Sequence, residues 1–141
     1  MLVEDNPDDQ ALMLCALKRN NIPGEVIIAH DGVEALNYLF NENLSPELIL
    51  LDLKIPKIDG CEVLRRIRAN RCTEFIPVVV LTTSREEKDM IECYRAGVNS
   101  YICKPIGFSE FSQVMQQLGS YWLVYNEIPS KVRADTNNPP C

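Results

Sequence analysis

Acidic, hydroxyl and lysine side chains stand at four separate places in the sequence, each directly after a short apolar run. Glu4 and Asp5 follow the run LV, Asp52 follows LILL, Thr82 follows VVVL, and Lys104 follows SYIC. Carboxylates held close together repel one another, and a hard divalent cation such as Mg²⁺ neutralises them through oxygen ligands. A lysine adds a fixed positive charge that can hold an anion. A carboxylate surrounded by a cation, a lysine and a hydroxyl can act as the nucleophile that accepts a phosphoryl group.

The elements that must position these groups alternate along the chain as short apolar strands and amphipathic helices. Five strands are predicted, at residues 2–3, 25–29, 48–51, 78–81 and 101–103. A helical pattern follows each of them, beginning near residues 8, 33, 61, 84 and 108. Five β-then-α units predict an α/β fold, a doubly wound five-stranded parallel sheet with helices on both faces. Ligands bind such sheets at the carboxyl ends of the strands, which is where the polar residues stand.

Two local signals give the expected limits of the fourth helix. Ser84 with Glu87 three residues later matches a capping box, so this helix is predicted to begin after Ser84. Gly97 is of the type that commonly follows the last turn, so the helix is predicted to end there.

Length and composition predict one compact domain over residues 1–128, followed by a polar segment, 129–141, that reads as a disordered tail. The 141 residues carry a formal net charge of −6, which argues against non-specific nucleic-acid binding. Four arginines lie close together in RRIRANR, and we interpret them as a solvated helix face: Arg65, Arg66, Arg68 and Arg71. No apolar run approaches a membrane span, and no secretory signal is recognisable, so a cytoplasmic protein is expected.

The ordered polar motifs resemble those of the response-regulator receiver domain, over residues 1 to about 119. The motifs that carry the resemblance are Glu4-Asp5-Asn6, Leu51-Asp52-Leu53, Pro56 with Asp59-Gly60, Leu81-Thr82-Thr83, Ala96-Gly97, and Tyr101 with Lys104-Pro105. The resemblance implies a flavodoxin-like (βα)5 fold with strand order 2-1-3-4-5. It also implies a signalling domain, not an enzyme, that accepts a phosphoryl group, uses Mg²⁺ or Mn²⁺, and slowly loses the phosphoryl group again.

The same resemblance implies a role for each matching residue. Asp52 resembles the phosphorylated aspartate, and Lys104 resembles the lysine that binds the phosphoryl group. The metal ligands implied are the carboxylates of Glu4, Asp5 and Asp52 and the backbone carbonyl of Lys54. Thr82 resembles the hydroxyl that meets the phosphoryl group, and Tyr101 resembles the aromatic residue that changes rotamer with it. The Lys104–Pro105 peptide bond is expected to be cis.

The segment from Tyr121 to Pro129 resembles the end of single-domain regulators that partner cyanobacterial phytochromes. That resemblance implies a stand-alone regulator and a sensor histidine kinase, of phytochrome type, as phosphodonor. It implies homodimers through the fourth and fifth helices, with Tyr121, Trp122 and Tyr125 at the contact. Signalling would then proceed through a conformational change or through dimerisation, without nucleic acid or membrane.

Two features depart from the family pattern. Only three residues precede Glu4, which leaves the first strand short although its predicted place is central. Lys54 puts a positive side chain beside the site, where it would either pair with a neighbouring carboxylate or slow an attacking water.

Other functions of a nucleophilic aspartate on an α/β fold remain open at this point. An aspartate-nucleophile phosphatase needs a second aspartate two residues after the nucleophile as general acid, and this chain has Lys54 there. A flavin-binding module needs a hydroxyl- and glycine-rich phosphate loop after the first strand, where this chain is acidic instead. A phosphorylation-independent scaffold is the remaining alternative.

Overall fold

A single five-stranded parallel sheet forms the centre of the protein. The computed structural model describes residues 1–105 and 107–129. The strands are β1 (Leu2–Val3), β2 (Ile28–Ala29), β3 (Ile49–Leu51), β4 (Val78–Thr82) and β5 (Ser100–Cys103). Their order is β2-β1-β3-β4-β5, with every neighbouring pair parallel. The predicted fold class and strand order are therefore confirmed.

Five α-helices cover both faces of the sheet. They are α1 (Pro7–Arg19), α2 (Gly32–Phe40), α3 (Gly60–Ala69), α4 (Glu87–Arg95) and α5 (Phe108–Gly119). One apolar cluster contains side chains of α2, α3 and α4, among them Leu36, Leu64 and Cys93. The other contains side chains of α1 and α5, among them Met13 and Phe111. Strands covered on both faces explain why β3 and β4 are continuous apolar runs and not alternating ones.

Side-chain caps fix the starts of three helices beside the carboxyl edge of the sheet. The Asn6 side chain accepts hydrogen bonds from the N–H groups of Asp8 and Asp9. Asp31 caps α2 and Asp59 caps α3 in the same way. Each cap satisfies backbone donors that have no partner within the helix. The loops that carry the candidate site residues therefore have defined conformations.

The second strand is shorter than the sequence pattern predicts. Residues 25–29 form an apolar, β-branched run, but only Ile28 and Ala29 lie in β2. Its partner β1 offers just two residues, Leu2 and Val3, which pair with Ile28 and Ala29. β2 thus extends only over the residues that pair with β1.

The fourth helix begins later than the capping-box prediction, which is wrong for Ser84. Glu86 is the N-cap of α4, without a side-chain cap, and the Ser84 hydroxyl instead donates to Asp89 at 2.6 Å. A stronger acceptor within reach accounts for the difference, because hydrogen bonds to a carboxylate are stronger than those to neutral groups. At the other end Gly97 adopts φ +93°, as predicted for a residue that ends a helix.

Arg68 is half-buried and does not belong to a solvated face. Its guanidinium donates to the carbonyl oxygens of Glu74, Ile76 and Gly97 and to Asn99 Oδ1, at 2.8–3.0 Å. These acceptors lie before β4 and between α4 and β5, so one side chain joins three segments. The interpretation as a solvated helix face holds for Arg65 and Arg66, which are exposed, and is wrong for Arg68. Arg71 is exposed but lies beyond the end of α3.

A π-helix over Ser120–Tyr125 continues directly from α5. Tyr121, Val124 and Tyr125 are exposed there, whereas Trp122 packs against the cluster of α1 and α5. The predicted tail lies, except for Pro129, outside the described residues. Within the described part of the chain, no helix is long and apolar enough to cross a bilayer.

Candidate functional site

Four acidic and basic side chains from distant parts of the sequence meet at the carboxyl edge of the sheet. The ammonium group of Lys104, just after β5, donates to Glu4 Oε2 at 2.7 Å, Asp9 Oδ2 at 2.8 Å and Asp52 Oδ2 at 2.9 Å. The Lys104 side chain is 9% exposed and that of Glu4 only 1%. The structure thus brings together three of the predicted site residues, Glu4, Asp52 and Lys104.

Asp52 is held from both sides by the backbone. Its N–H donates to the carbonyl of Val3 in β1, and its Oδ1 accepts the N–H of Lys54 at 3.3 Å. Gly60, at the start of α3, approaches so closely that a Cβ there would lie 2.5 Å from the Asp52 carbonyl oxygen. Only a residue without a side chain allows this approach. The carboxylate is therefore oriented by the strand, by the following loop and by α3.

The surroundings of the two buried carboxyls, Asp52 and Glu4, shift their pKa values in opposite directions. Burial by itself raises the pKa of Asp52, but the hydrogen bond and charge of Lys104, with the Lys54 N–H, outweigh it and hold the pKa below its ordinary value. For Glu4 burial dominates, and its pKa lies above the ordinary value despite the hydrogen bonds from Lys104 and Asn6. Asp52 is therefore the group that keeps the anionic form needed of a nucleophile.

Lys104 remains a cation in this setting. Burial alone would lower its pKa, but the hydrogen bonds to Asp9, Glu4 and Asp52 outweigh burial and hold the pKa well above its ordinary value. One ammonium facing three carboxyls leaves the cluster short of positive charge. Such a site favours the entry of a further cation.

The metal ligands expected from the sequence are only partly assembled. Among the described residues, no three His, Cys, Asp or Glu side chains form a ready-made metal cluster. Glu4 and Asp52 share Lys104, whereas Asp5 is exposed. Mg²⁺ is commonly held by one or two carboxylates, with water completing its shell. The oxygen donors and the excess negative charge fit such an ion.

Asp9 is a member of the cluster that sequence reasoning missed. It lies in the first turn of α1, and its carboxylate contacts Lys104 as closely as Asp52 does. The run from Glu4 to Asp9 contains four acids, and their spacing alone does not distinguish which of them reaches the site. The Asn6 cap was the available signal, because it starts α1 at Pro7 and thereby fixes where Asp9 lies.

Thr82 and Tyr101 lie beside the cluster and meet at Ser84. The buried Thr82 hydroxyl oxygen accepts the N–H of Ser84 at 3.3 Å. Tyr101 donates its hydroxyl to the carbonyl oxygen of Ser84 at 3.1 Å. Both predicted residues therefore share one contact in the loop between β4 and α4.

The side chain of Lys54 turns away from Asp52. Its ammonium lies 3.6 Å from Asp89 Oδ2 on α4, and its own side chain is 68% exposed. The Ser84 hydroxyl and, against the effect of burial, the charge of Lys54 hold the pKa of Asp89 below its ordinary value. The sequence left two roles open for the Lys54 side chain, pairing with a neighbouring carboxylate or slowing an attacking water. In the structure the side chain pairs with a carboxylate, that of Asp89.

The Lys104–Pro105 peptide bond is trans, so the expected cis bond is wrong. Trans is the favoured isomer for a bond before proline, by about 0.5–1 kcal/mol. Here Lys104 reaches all three carboxylates from the trans form, and its N–H donates to the Thr82 carbonyl at 2.7 Å. Nothing in this geometry requires the rarer isomer.

Residues 1–116 match the family model described as the response regulator receiver domain. The chain belongs to the response regulator receiver family. Receiver domains are signalling modules of two-component systems, and the five-stranded fold and the Asp52–Lys104 pair agree with that membership.

Related proteins match nearly the whole receiver chain. Response regulator Rcp1 of Synechocystis sp. is 40% identical over 135 residues, which is 92% of each chain. The probable methanogenesis regulatory protein FilR2 of Methanothrix harundinacea is 39% identical over 133 residues, covering 92% of this chain and 86% of FilR2. A match to RcpA, a cyanobacterial phytochrome response regulator of solved structure, confirms the resemblance to regulators of cyanobacterial phytochromes.

Solved structures of response regulators are similar to this receiver domain over nearly its whole length. The phosphorylated cyanobacterial phytochrome response regulator RcpA superposes with a TM-score of 0.84 and 42% identity, over 92% of this chain and 96% of RcpA. The Mn²⁺-bound form of Rcp1 gives 0.82 and 41%, over 91% and 96%.

Proposed function

We propose that this receiver domain accepts a phosphoryl group on Asp52 from a histidine kinase, in a reaction that needs Mg²⁺ or Mn²⁺. The observation that carries the proposal is the buried contact of Lys104 with Asp52 at 2.9 Å. It combines a carboxylate held anionic with a cation placed to receive the phosphoryl oxygens.

In the proposed reaction an Asp52 carboxylate oxygen attacks the phosphorus atom while the bond from phosphorus to the donor nitrogen breaks. An acyl phosphate forms, and the donor imidazole retains the electron pair of the broken bond. The Lys104 ammonium, which pairs with the Asp52 carboxylate before the reaction, would pair with the phosphoryl oxygens after it. When bound by Glu4, Asp5, Asp52 and the Lys54 carbonyl, a divalent cation would neutralise further phosphoryl charge. Slow attack of water on the phosphorus atom of the acyl phosphate would release inorganic phosphate and return the aspartate.

The relatives support a phytochrome-type histidine kinase as the phosphodonor, because Rcp1 and RcpA are similar over nearly their whole length. We also propose a homodimer through α4, α5 and the π-helix. Tyr121 and Tyr125 are 54% and 74% exposed, which suits a contact surface. The proposal places signalling in the cytoplasm and involves no nucleic acid.

The phosphatase alternative lacks its general acid. Lys54 stands where that acid would be, and its ammonium is turned toward Asp89. The position therefore lacks the carboxylic acid that this mechanism uses as its general acid. A scaffold that works without phosphorylation remains the competing function, and the following experiment separates the two.

The test is intact mass spectrometry after incubation with Mg²⁺ and acetyl phosphate, a small-molecule phosphodonor. We expect one added phosphoryl group, which disappears with Asp52→Asn and with chelation of the metal. Asp8→Asn, which changes an exposed acid on α1, is the matched control and should keep the adduct. An adduct that survives Asp52→Asn would overturn the assignment to Asp52, and no adduct at all would overturn the proposal and leave the scaffold.

A further inference from the structure

Ser84, in the loop between β4 and α4, forms hydrogen bonds with residues of several neighbouring elements. Its N–H donates to Thr82 Oγ1, its carbonyl accepts from the Tyr101 hydroxyl, and its own hydroxyl donates to Asp89 Oδ2 at 2.6 Å. The same hydroxyl oxygen also accepts the N–H of Glu86 at 3.3 Å. A single short loop residue therefore connects the end of β4 with the first turn of α4.

Asp89 receives a second contact from the opposite side of the site. Lys54, whose N–H binds Asp52 Oδ1, places its ammonium 3.6 Å from the same Asp89 oxygen that Ser84 binds. The Asp89 side chain is only 19% exposed. Both partners of Asp89 are thus attached to the surroundings of Asp52, one through β4 and one through the loop after β3.

We propose that Asp89 is a positioning residue that conveys phosphorylation of Asp52 to α4. This inference rests on the proposed function. In the unphosphorylated protein Asp89 anchors the start of α4 to Ser84 and Lys54, and phosphorylation weakens both contacts together.

The contacts of Asp89 with Ser84 and Lys54 weaken because of the negative charge that the phosphoryl group brings. A phosphoryl group brings roughly −1.5 to −2 charges at neutral pH, more than the single charge of Asp89. Lys54 is already fixed at its backbone next to Asp52, and its exposed ammonium can turn from Asp89 to the phosphoryl oxygens. The Thr82 hydroxyl, which the family resemblance leads us to expect at the same oxygens, accepts the Ser84 N–H before phosphorylation, so its movement disturbs Ser84 as well.

The start of α4 depends on Asp89 and Ser84 because its N-cap residue supplies no side-chain cap. The N-cap Glu86 makes no side-chain cap bond, in contrast to Asn6, Asp31 and Asp59 at α1, α2 and α3. One turn after Asp89, Cys93 is fully buried, with its sulfur 3.1 Å from that of Cys61 on α3. Release of Asp89 would therefore free the first turn while the middle of the helix stays packed.

Hydrogen–deuterium exchange of the whole chain tests the inference at the amides of α4. The variants are Asp89→Asn, which loses the charge, and Ser84→Ala, which loses the hydroxyl. Glu87→Gln is the matched control, since it removes one negative charge from the same turn at an exposed position. Each protein is measured alone and after Mg²⁺ with acetyl phosphate, and the intact mass of the same sample reports the phosphoryl adduct.

We expect both variants to exchange about threefold to tenfold faster than the control before phosphorylation at the amide of Met90, whose N–H donates to the Glu86 carbonyl, and at the amides that follow it in α4. Phosphorylation should speed this exchange in the natural protein and in the control, and change it much less in Asp89→Asn. If Asp89→Asn and Glu87→Gln exchange equally although the adduct is present, the role of Asp89 is overturned and the proposed function stands. Absence of the adduct from the natural protein would overturn the proposed function, and the inference with it.

Discussion

Gly60 and Asp52 touch through their backbones, because a Cβ at position 60 would lie 2.5 Å from the Asp52 carbonyl oxygen and 2.7 Å from Leu53 Cα. We expect Gly60→Ala to lower the free energy of unfolding by about 2–3 kcal/mol, since rigid backbone has to move to admit one methyl group. Urea unfolding followed by circular dichroism measures the change.

Gly107→Ala is the control for Gly60, because nothing lies within 4 Å of a Cβ there. Its free energy of unfolding should stay within about 1 kcal/mol of the natural protein. Equal effects at the two glycines would contradict the close approach at Asp52.

Replacing the shared ammonium should affect cation binding and phosphorylation in opposite directions. In Lys104→Met the carboxylates of Glu4, Asp9 and Asp52 lose their common partner. We expect Mn²⁺ to bind about tenfold more tightly, since a competing positive charge is gone. The phosphoryl adduct should nevertheless fall sharply. Calorimetric titration and intact mass measure the two effects, and weaker Mn²⁺ binding would contradict the competition.

The raised pKa of Glu4 predicts a pH dependence. The folded protein binds the Glu4 proton at pH values where the unfolded chain, with an ordinary value of 4.5, has released it. Stability from this group is therefore full below that value and is lost as pH rises through the folded-state pKa. Gln has no such proton, so Glu4→Gln should gain stability relative to the natural protein as the pH rises above the ordinary value of 4.5.

Urea unfolding of both proteins across this pH range measures the difference caused by Glu4→Gln. Each should be measured without added metal, because Glu4 is also a proposed metal ligand. A difference that stays constant or shrinks with rising pH would contradict the raised pKa.

Arg68→Lys should destabilise the protein by about 2–3 kcal/mol, because an ammonium cannot reach all four acceptors and leaves partly buried carbonyls without a donor. Arg65→Lys is the control, since Arg65 is exposed and its nearest acid, Glu62, is 3.5 Å away. Chemical denaturation distinguishes the two, and a loss below about 0.5 kcal/mol for Arg68→Lys would contradict the role of its guanidinium.

The proposed dimer is best tested at Tyr125. This residue is 74% exposed, whereas Trp122 packs on the core and its removal would also cost stability. We expect Tyr125→Ala to weaken self-association at least about tenfold in sedimentation experiments, as loss of a central aromatic contact does. Phe75→Ala, at a 53% exposed aromatic residue in the loop between α3 and β4, should leave it unchanged.

Much of the fold follows from short-range patterns in the sequence. The solid apolar runs before Asp52 and Thr82 are typical of strands covered on both faces, and the helices between the strands favour parallel pairing. That arrangement is enough to bring Asp52, Glu4 and Lys104 to one edge. The end of α4 at Gly97 was equally predictable, because a left-handed residue there favours glycine.

What could not be predicted depends on contacts between segments. Ser84 has the spacing of a capping box, yet Asp89 proved the better acceptor for its hydroxyl. Arg68 looks like its neighbours in RRIRANR, and only the approach of the Gly97 and Ile76 carbonyls distinguishes it. For Asp9 the Asn6 cap was a usable local signal, but the spacing of the four acids from Glu4 to Asp9 does not show which of them reaches Lys104.

Lys104 is separated by 95 residues from Asp9 and by 100 from Glu4, its partners in the site. Contacts so distant along the chain form late in folding, after the loop between them has closed. During synthesis the N-terminal strand, its acids and Asp52 leave the ribosome well before Lys104 does. A nascent chain therefore carries the acceptor aspartate without its counter-charge. It should become competent to receive a signal only when translation has passed the fifth strand.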